Sequence, residues 1–430
     1  MTATEGNEQA YSTAEAVARR SYGKLVAFLA ARTGDVAAAE DALCEAFAAA
    51  LSDWPLNGCP ANPEAWLLTV ARRKAIDSFR SRRREIAPDD LGGLDSVENL
   101  TAESLAASPE ADTIPEIPDL RLALMFVCAH PAIDQAIRAP LILQSVLGLD
   151  AARIASAFLT SPAAMGKRLV RAKQKIHAAA IPFDIPGRDE LPARLEAVLD
   201  AIYAAFTEGW PDPGAVDAVR RDLTAESLFL ARLLHELLPN DSETAGLLSL
   251  VLYVEARRAA RRSPQGDYIP LAEQNPQLWD SEKIDEAEAL LLHAGARAHV
   301  SSRIGRYQLE AALQSAHVTR RLTGRANWEQ VVQLYDALFA LTRSPVVAIN
   351  RALAIAETHG PAAALATLDP LKDDPRLAQY QPWWAARADL LARTGDYSEA
   401  HHAYDLAIGL EPDPAVRRFL QLRQSTLPRG

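Results

Sequence analysis

This chain predicts an all-α fold, on three observations. Apolar residues make up 49% of its 430 positions, and Ala and Leu dominate among them. They recur at three- and four-residue intervals, the period of a helix that buries one stripe. Aromatic residues reach only 6%, and the β-branched residues are not set in the alternating runs that strands require. A chain of this length has material for two or three domains, each with its own core.

The charge balance is acidic, with 45 Lys and Arg against 56 Asp and Glu, a net charge of -11. Phosphate neutralisation dominates non-specific affinity for nucleic acid, so tight unaided DNA binding is not expected of the chain as a whole. The three cysteines, Cys44, Cys59 and Cys128, form neither a disulfide framework nor a CxxC pair, which suits a reducing cytoplasm. Cys128 has His130 nearby but no further ligand-type neighbours, and reads as a small core residue; no metal site and no cofactor is expected. The opening MTATEGNEQAYSTAEA lacks a basic stretch followed by an apolar one, so no signal peptide is expected. No uncharged apolar run approaches the roughly 20 residues that cross a bilayer. A cytoplasmic protein is the resulting expectation.

Residues 11 to 52 predict two helices broken at Thr33-Gly34. Asp35 is well suited to cap the second, whose packing stripe is Val36, Ala39, Leu43, Ala46, Phe47 and Ala50. Its other side shows Glu40, Asp41 and Glu45, an acidic face that is either merely solvated or docks a basic protein surface. A loop, WPLNGCPANPE, follows, rich in Pro, Asn and Gly. Then comes the helix AWLLTVARRKAIDSFRSRRR, with Leu68, Ala71, Ala75 and Phe79 as its buried row. Arg72, Arg73, Lys74, Arg80, Arg82, Arg83 and Arg84 are opposed within it by Asp77 alone. Such a density of cations on one helix points to nucleic acid.

From Ile86 to Asp119 the pattern gives way to Pro, Gly, Ser and nine acidic residues with no Lys or Arg, a flexible, self-repelling linker. LRLALMFVCAHPAIDQAIRAPLILQSVLGL predicts two apolar helices leading into GLDAARIASAFLTSPAAMGKRLVRAKQKIH. In the latter, Leu149, Ile154, Ala155 and Phe158 lie at helical spacing, Leu159-Thr160-Ser161 interrupts, and Pro162 opens a second helix. That is a helix-turn-helix. Met165, Leu169, Ala172 and Ile176 form the packing face of the second helix, while Lys167, Arg168, Arg171 and Lys175 point elsewhere. From Ala151 to Phe183 there are six Lys or Arg and no acid. A recognition helix in the major groove uses its N-terminal half on base edges and later cations on phosphates, which makes Ser161, Ala164, Lys167, Arg168, Arg171 and Lys175 the candidate DNA contacts.

The remainder reads as successive helices. LPARLEAVLDAIYAAFTEGW, AESLFLARLLHELLP and SETAGLLSLVLYVEARRAARR come first, the last ending in Arg257, Arg258, Arg261 and Arg262. That cluster is expected to be a solvated or domain-facing helix end rather than a second DNA site. Near the C-terminus Gly395, Tyr397, Ala400, Tyr404, Ala407 and Pro412 fall at the spacing of a tetratricopeptide repeat, with a weaker copy about one period upstream around Gly360. Acid-base candidates exist in Glu208, Glu255, His293, His317 and the His401-His402 pair, but none sits in a catalytic pattern. The chain is expected not to be an enzyme.

Two small helical modules with basic helices, joined by an acidic linker, resemble bacterial RNA polymerase sigma factors of the extracytoplasmic-function type. GDVAAAEDALCEAFAAAL is similar to the region 2 helix that grips the polymerase clamp, and NPEAWLLTVARRKAIDSFRSRRR to the segment that melts and reads the promoter −10 element. LGLDAARIASAFLTSPAAMGKRLVRAKQKI resembles region 4, which reads the −35 element. The resemblance spans about residues 11 to 178 and implies region 2 at 11–85, a linker at 86–119 and region 4 at 120–180. It implies polymerase contacts through Asp35, Glu40, Asp41 and Glu45, and −10 contacts through Trp66, Arg72, Arg73, Lys74, Arg80, Arg83 and Arg84. It further implies that the loop from Trp54 to Glu64 captures a flipped base and that Trp66 stacks on an unpaired one. Core polymerase would then hold both basic helices on promoter DNA, so effective concentration replaces intrinsic affinity. MFVCAHPAI, EQNPQLWD and RYQLEAAL are similar to long members of this group with a helical extension, here 188–320, and tetratricopeptide-like repeats, here 321–425; those members usually carry a second Cys where this chain has Ala129. The resemblance implies regulation through the extension. A helix-turn-helix regulator or scaffold whose repeats bind a protein partner, without polymerase, is the alternative.

Overall fold

A computed structural model of the chain describes residues 3–86, 119–178, 185–210, 218–301, 304–323 and 327–428. Among the described residues every regular element is helical, apart from an isolated bridge between Arg262 and Tyr268. The all-α expectation holds. The chain divides into two compact units, residues 1–205 and 206–430. The acidic linker read at 86–119 lies, from 87 to 118, outside the described residues.

The first unit opens with α1 (Ala3–Thr33) and α2 (Val36–Asn57). Between them Gly34 takes a positive φ, and Asp35 caps α2 by accepting from the Ala38 N–H at 3.0 Å. Helix α2 corrects the sequence reading at its far end. The chain was expected to leave the helix at Trp54, but the helix continues through Pro55 to Asn57. Trp54 is fully buried there, in a T-shaped pair with Trp66 whose ring centroids lie 5.5 Å apart. Pro55 removes only the N–H that the Leu51 carbonyl would have used, and Leu51 lies on the exposed side of the helix. The loop shortens to the residues between Gly58, whose amide closes the helix on Trp54, and Pro63, which opens α3 (Pro63–Ile86). The buried row of α3 is Leu67, Ala71 and Ala75, with Leu68 only half-buried; the side chain of Phe79 lies outside the described ones.

Helices α4 (Leu120–Cys128) and α5 (Gln135–Ser145) follow, then α6 (Ala151–Ala157) and α7 (Pro162–Ala178). The break between α6 and α7 falls at the predicted turn, with Leu159 at φ +48°. Asp119, Asp134 and Asp150 each cap the helix that follows them. The α1–α3 and α4–α7 groups, expected as separate modules, pack directly on one another within this unit. At Gly23 of α1 the approach is so close that a Cβ would lie 1.9 Å from the Val146 carbonyl oxygen. Helix α8 (Pro192–Gly209), assigned from sequence to the extension, begins inside this first unit. There Arg194 is buried and donates to the Phe126 carbonyl at 3.2 Å and to Glu190 at 2.6 Å.

The second unit holds α9 (Ala218–Leu237), α10 (Ser242–Ala256), α11 (Ser281–Ser301) and α12 (Arg306–Thr323). Helix α10 is buried almost all round, which is why it shows so little amphipathic pattern. Glu243 in its first turn accepts from the N–H groups of Tyr307 and Gln308 at 2.9 and 3.1 Å, capping α12 from a distance in sequence. The Arg257–Arg262 cluster is domain-facing. Arg257 bonds Gln314, Arg258 pairs with Glu255 at 2.8 Å, and Arg262 pairs with Asp413. Arg258 and Arg261 both stack on the Trp210 ring. Beyond α13 (Trp328–Thr342), helical pairs follow: α14 (Pro345–His359) with α15 (Pro361–Leu368), and α16 (Gln381–Thr394) with α17 (Tyr397–Leu410), before α18 (Pro414–Ser425). Gly360 and Gly395, singled out from sequence, make the turns within the two pairs at positive φ. Ala400, Tyr404 and Ala407 are buried.

Candidate nucleic-acid interface

Helix α7 sorts its cations by side. Met165, Leu169 and Ala172 are buried and Ile176 is half-buried, so the face predicted to pack does pack. Ala164, Lys167, Arg171 and Lys175 succeed one another at three- and four-residue spacing on the opposite side and are exposed, as is Ser161 at the N-cap. Ser161 Oγ accepts from the Ala164 N–H at 3.3 Å. Ser161, Ala164, Lys167, Arg171 and Lys175 therefore share an open face without acidic residues.

Two other cations of the helix turn inward. Lys173, absent from the sequence-derived set, donates from Nζ to Glu40 Oε2 at 2.6 Å. Arg168 is half-buried, and its Nη2 donates to the Ala136 carbonyl at 3.1 Å. Arg168 thus departs from the solvent-facing position expected of it. The signal for Lys173 was its place beside the apolar row of Leu169, Ala172 and Ile176, where a long stem is easily drawn into the interface.

The acidic face of α2 is likewise divided. Glu40 was expected on the open side, but it is buried at 5% exposure and lines a small cavity with Val36, Cys128, Ser145 and Lys173. The physical reason is the packing of α7 and α4 over that edge of α2, with Lys173 supplying the counter-charge. Asp35 is engaged as a cap, Glu45 pairs with Lys74 at 3.2 Å, and Asp41 is exposed. Burial pushes the Cys128 thiol well above its ordinary range, which fits a protonated core residue.

On α3, Arg72 lies over the Phe28 ring at 5.0 Å, a ring that Arg32 also approaches at 4.3 Å. Burial, then the neighbouring Arg72, lowers the Arg32 pKa from its ordinary value. Arg73 is exposed. Lys74 is held by Glu45. Trp66 is half-buried, with its ring steeply inclined to that of Trp54, so part of it is occupied within the protein. The backbone of α3 runs to Ile86, while the side chains of Arg80, Arg83 and Arg84 lie outside the described ones.

Among the described residues no group of three or more His, Cys, Asp or Glu is placed to hold a metal ion, and no helix is long and apolar enough to cross a membrane.

Residues 17–85 match sigma-70 region 2, and residues 194–295 match a family of unknown function, DUF6596. The uncharacterized protein R00370 of Rhizobium meliloti (strain 1021) is 37% identical over 388 residues, 90% of this chain and 89% of that protein. No solved structure matches. The region 2 match covers most of α1 and all of α2 with most of α3; the second match opens at Arg194 and runs to Gly295 in α11. With identity of that extent across nine-tenths of both proteins, the chain belongs to one family with the Rhizobium protein, and its first three helices carry a sigma-70 region 2.

Proposed function

We propose that this chain is a sigma factor that binds core RNA polymerase, directs initiation at specific promoters, and carries a regulatory C-terminal extension of the kind found in long extracytoplasmic-function members. The observation that carries the reading beyond region 2 is the open face of α7, where Lys167, Arg171 and Lys175 line up on a helix entered through a tight turn. In this reading α6 and α7 are a helix-turn-helix for the −35 element, with Ser161, Ala164 and Lys167 toward base edges and Arg171 and Lys175 toward phosphates. Region 2 serves the −10 element through Trp66, Arg72, Arg73 and Lys74 and the later arginines of α3, Arg80, Arg83 and Arg84. The exposed Asp41, with Asp35 and Glu45 beside it, forms the polymerase-facing side of α2, and Glu40 joins it only if its pairing with Lys173 opens. Sigma-70 factors are not enzymes, and the chemistry belongs to the polymerase. The helical pairs within residues 321–425 serve as tetratricopeptide-like repeats for a protein partner, and the protein acts in the cytoplasm.

The alternative, a DNA-binding regulator that never meets polymerase, draws on the engagement of Glu40 and Glu45 inside the chain. The region 2 match weighs against it. The deciding experiment is to reconstitute the purified chain with core polymerase and map the transcripts made from fragmented genomic DNA. Discrete start sites that require the chain support the sigma reading. Absence of any chain-dependent transcript, with DNA binding retained, supports the regulator.

A further inference from the structure

Helix α5 contains an internal proline, Pro140. In an α-helix the carbonyl of residue i accepts from the N–H of residue i+4, and proline has no N–H. The carbonyl without a helical donor is therefore that of Ala136. It does not stay empty: Arg168 reaches across from α7 and donates Nη2 to it at 3.1 Å. The amide of the same residue is held by its own cap, with Asp134 Oδ1 accepting from the Ala136 N–H at 2.9 Å. Both polar groups of one peptide position are fixed by side chains, and one of those side chains comes from the helix proposed to read DNA.

The surroundings keep the guanidinium there. Arg168 lines a groove with Gln135, Arg138, Pro140, Phe158, Glu196 and Asp200. Glu196 accepts from Gln135 Nε2 at 2.9 Å, which places a carboxylate on the groove wall beside the first turn of α5. Arg138 is tied back to the Ile133 and Pro131 carbonyls at 2.8 and 2.9 Å, so it does not compete for Ala136. By helical spacing Arg168 borders the open stripe of Ala164, Lys167, Arg171 and Lys175, but its guanidinium is turned to the Ala136 carbonyl of α5.

We propose that Arg168 is a positioning residue for promoter recognition rather than a reader of bases. It sets the orientation of α7 against α5 by satisfying the carbonyl that Pro140 leaves without a donor. Sequence choice then rests on the exposed stripe. This inference rests on the reading of α7 as the −35 helix.

The test compares full-length variants in reconstituted holoenzyme, selecting −35 sequences from a randomised promoter pool. Arg168→Ala is expected to lower promoter occupancy about tenfold while leaving the selected base preference unchanged. Arg168→Lys, which keeps one donor, is expected to recover part of that loss. Lys167→Ala is expected to change the preference at one position or more. Pro140→Ala supplies the missing N–H, so Arg168→Ala should cost markedly less in that background, and the pair should be non-additive in occupancy and in thermal melting. A changed base preference in Arg168→Ala, or additivity of the two substitutions to within about twofold, overturns the proposal. Melting is read without polymerase, so a coupled pair in a chain that supports no transcription would sink the sigma reading while leaving the Arg168–Pro140 relationship intact.

Discussion

Lys173 on α7 donates to Glu40 on α2 at 2.6 Å, joining the helix with the cationic stripe to the helix with the acidic one. Glu40 is nearly inaccessible and Lys173 about a third open, so the pair is only partly desolvated. Removing one partner leaves a carboxylate stranded in a cavity lined mostly by apolar groups. Lys173→Ala is expected to cost the first unit about 2 kcal/mol, a fall of about 6 °C in melting temperature. The double change Glu40→Gln with Lys173→Met should recover most of this, measured by calorimetry. An unchanged melting temperature in the single variant would mean that the carboxylate finds water instead.

Gly23 makes a second, uncharged contact across the same interface. A methyl group there would overlap the Val146 carbonyl, a backbone atom that cannot swing aside. Gly23→Ala is expected to destabilise the first unit by about 2–3 kcal/mol, seen as an earlier circular-dichroism transition. Gly295→Ala, at a position with open space around it, should leave melting unchanged or slightly raised.

His130 gives the first unit a pH dependence. Its Nδ1 accepts from the Ala132 N–H at 3.1 Å, which requires the neutral ring. Burial, then the charge of Arg194, lowers its pKa from the ordinary 6.5. A depressed value in the folded state means that the unfolded chain takes up the proton first, so stability is present above pH 6.5 and is lost as pH falls below it. Melting temperature should drop between pH 7.5 and 5.5, and His130→Asn, whose side-chain oxygen accepts from the same N–H, should show a smaller drop.

Glu243 caps α12 from the first turn of α10, accepting from two backbone N–H groups. Glu243→Ala strands both donors and is expected to cost about 1–2 kcal/mol. Burial raises the Glu243 pKa above 4.5, so its ionisation opposes folding, and its contribution falls as pH climbs from 4.5 through the raised value. Hydrogen exchange at Tyr307 and Gln308 reports the loss directly, and exchange there as slow as in the unsubstituted chain would contradict the assignment.

Much of this fold is legible in the amino-acid sequence alone. The capping aspartates, the Thr33-Gly34 break, the turn before Pro162 and the packing face of α7 all depend on local chemistry, and local chemistry is what sequence carries best. Trp54-Pro55 misled because Pro usually ends a helix, whereas here it sits near the C-terminus on an exposed side while Trp54 holds the helix in the core. Glu40, Arg168 and Lys173 were legible as charges but not as partners. A salt bridge between residues far apart in sequence, and a guanidinium drawn to the carbonyl beneath a proline, depend on which helices meet.

The arginines from Arg257 to Arg262 carry a wider consequence. Each already faces a carboxylate, an amide, a carbonyl or an aromatic ring of its own unit. Counting formal charge along this stretch would overstate the attraction it offers to any passing anion, since a cation committed to an internal neighbour projects little field outward. Titrating sodium chloride into a complex of this protein should therefore register the open lysines and arginines elsewhere, while this knot behaves as mortar between helices.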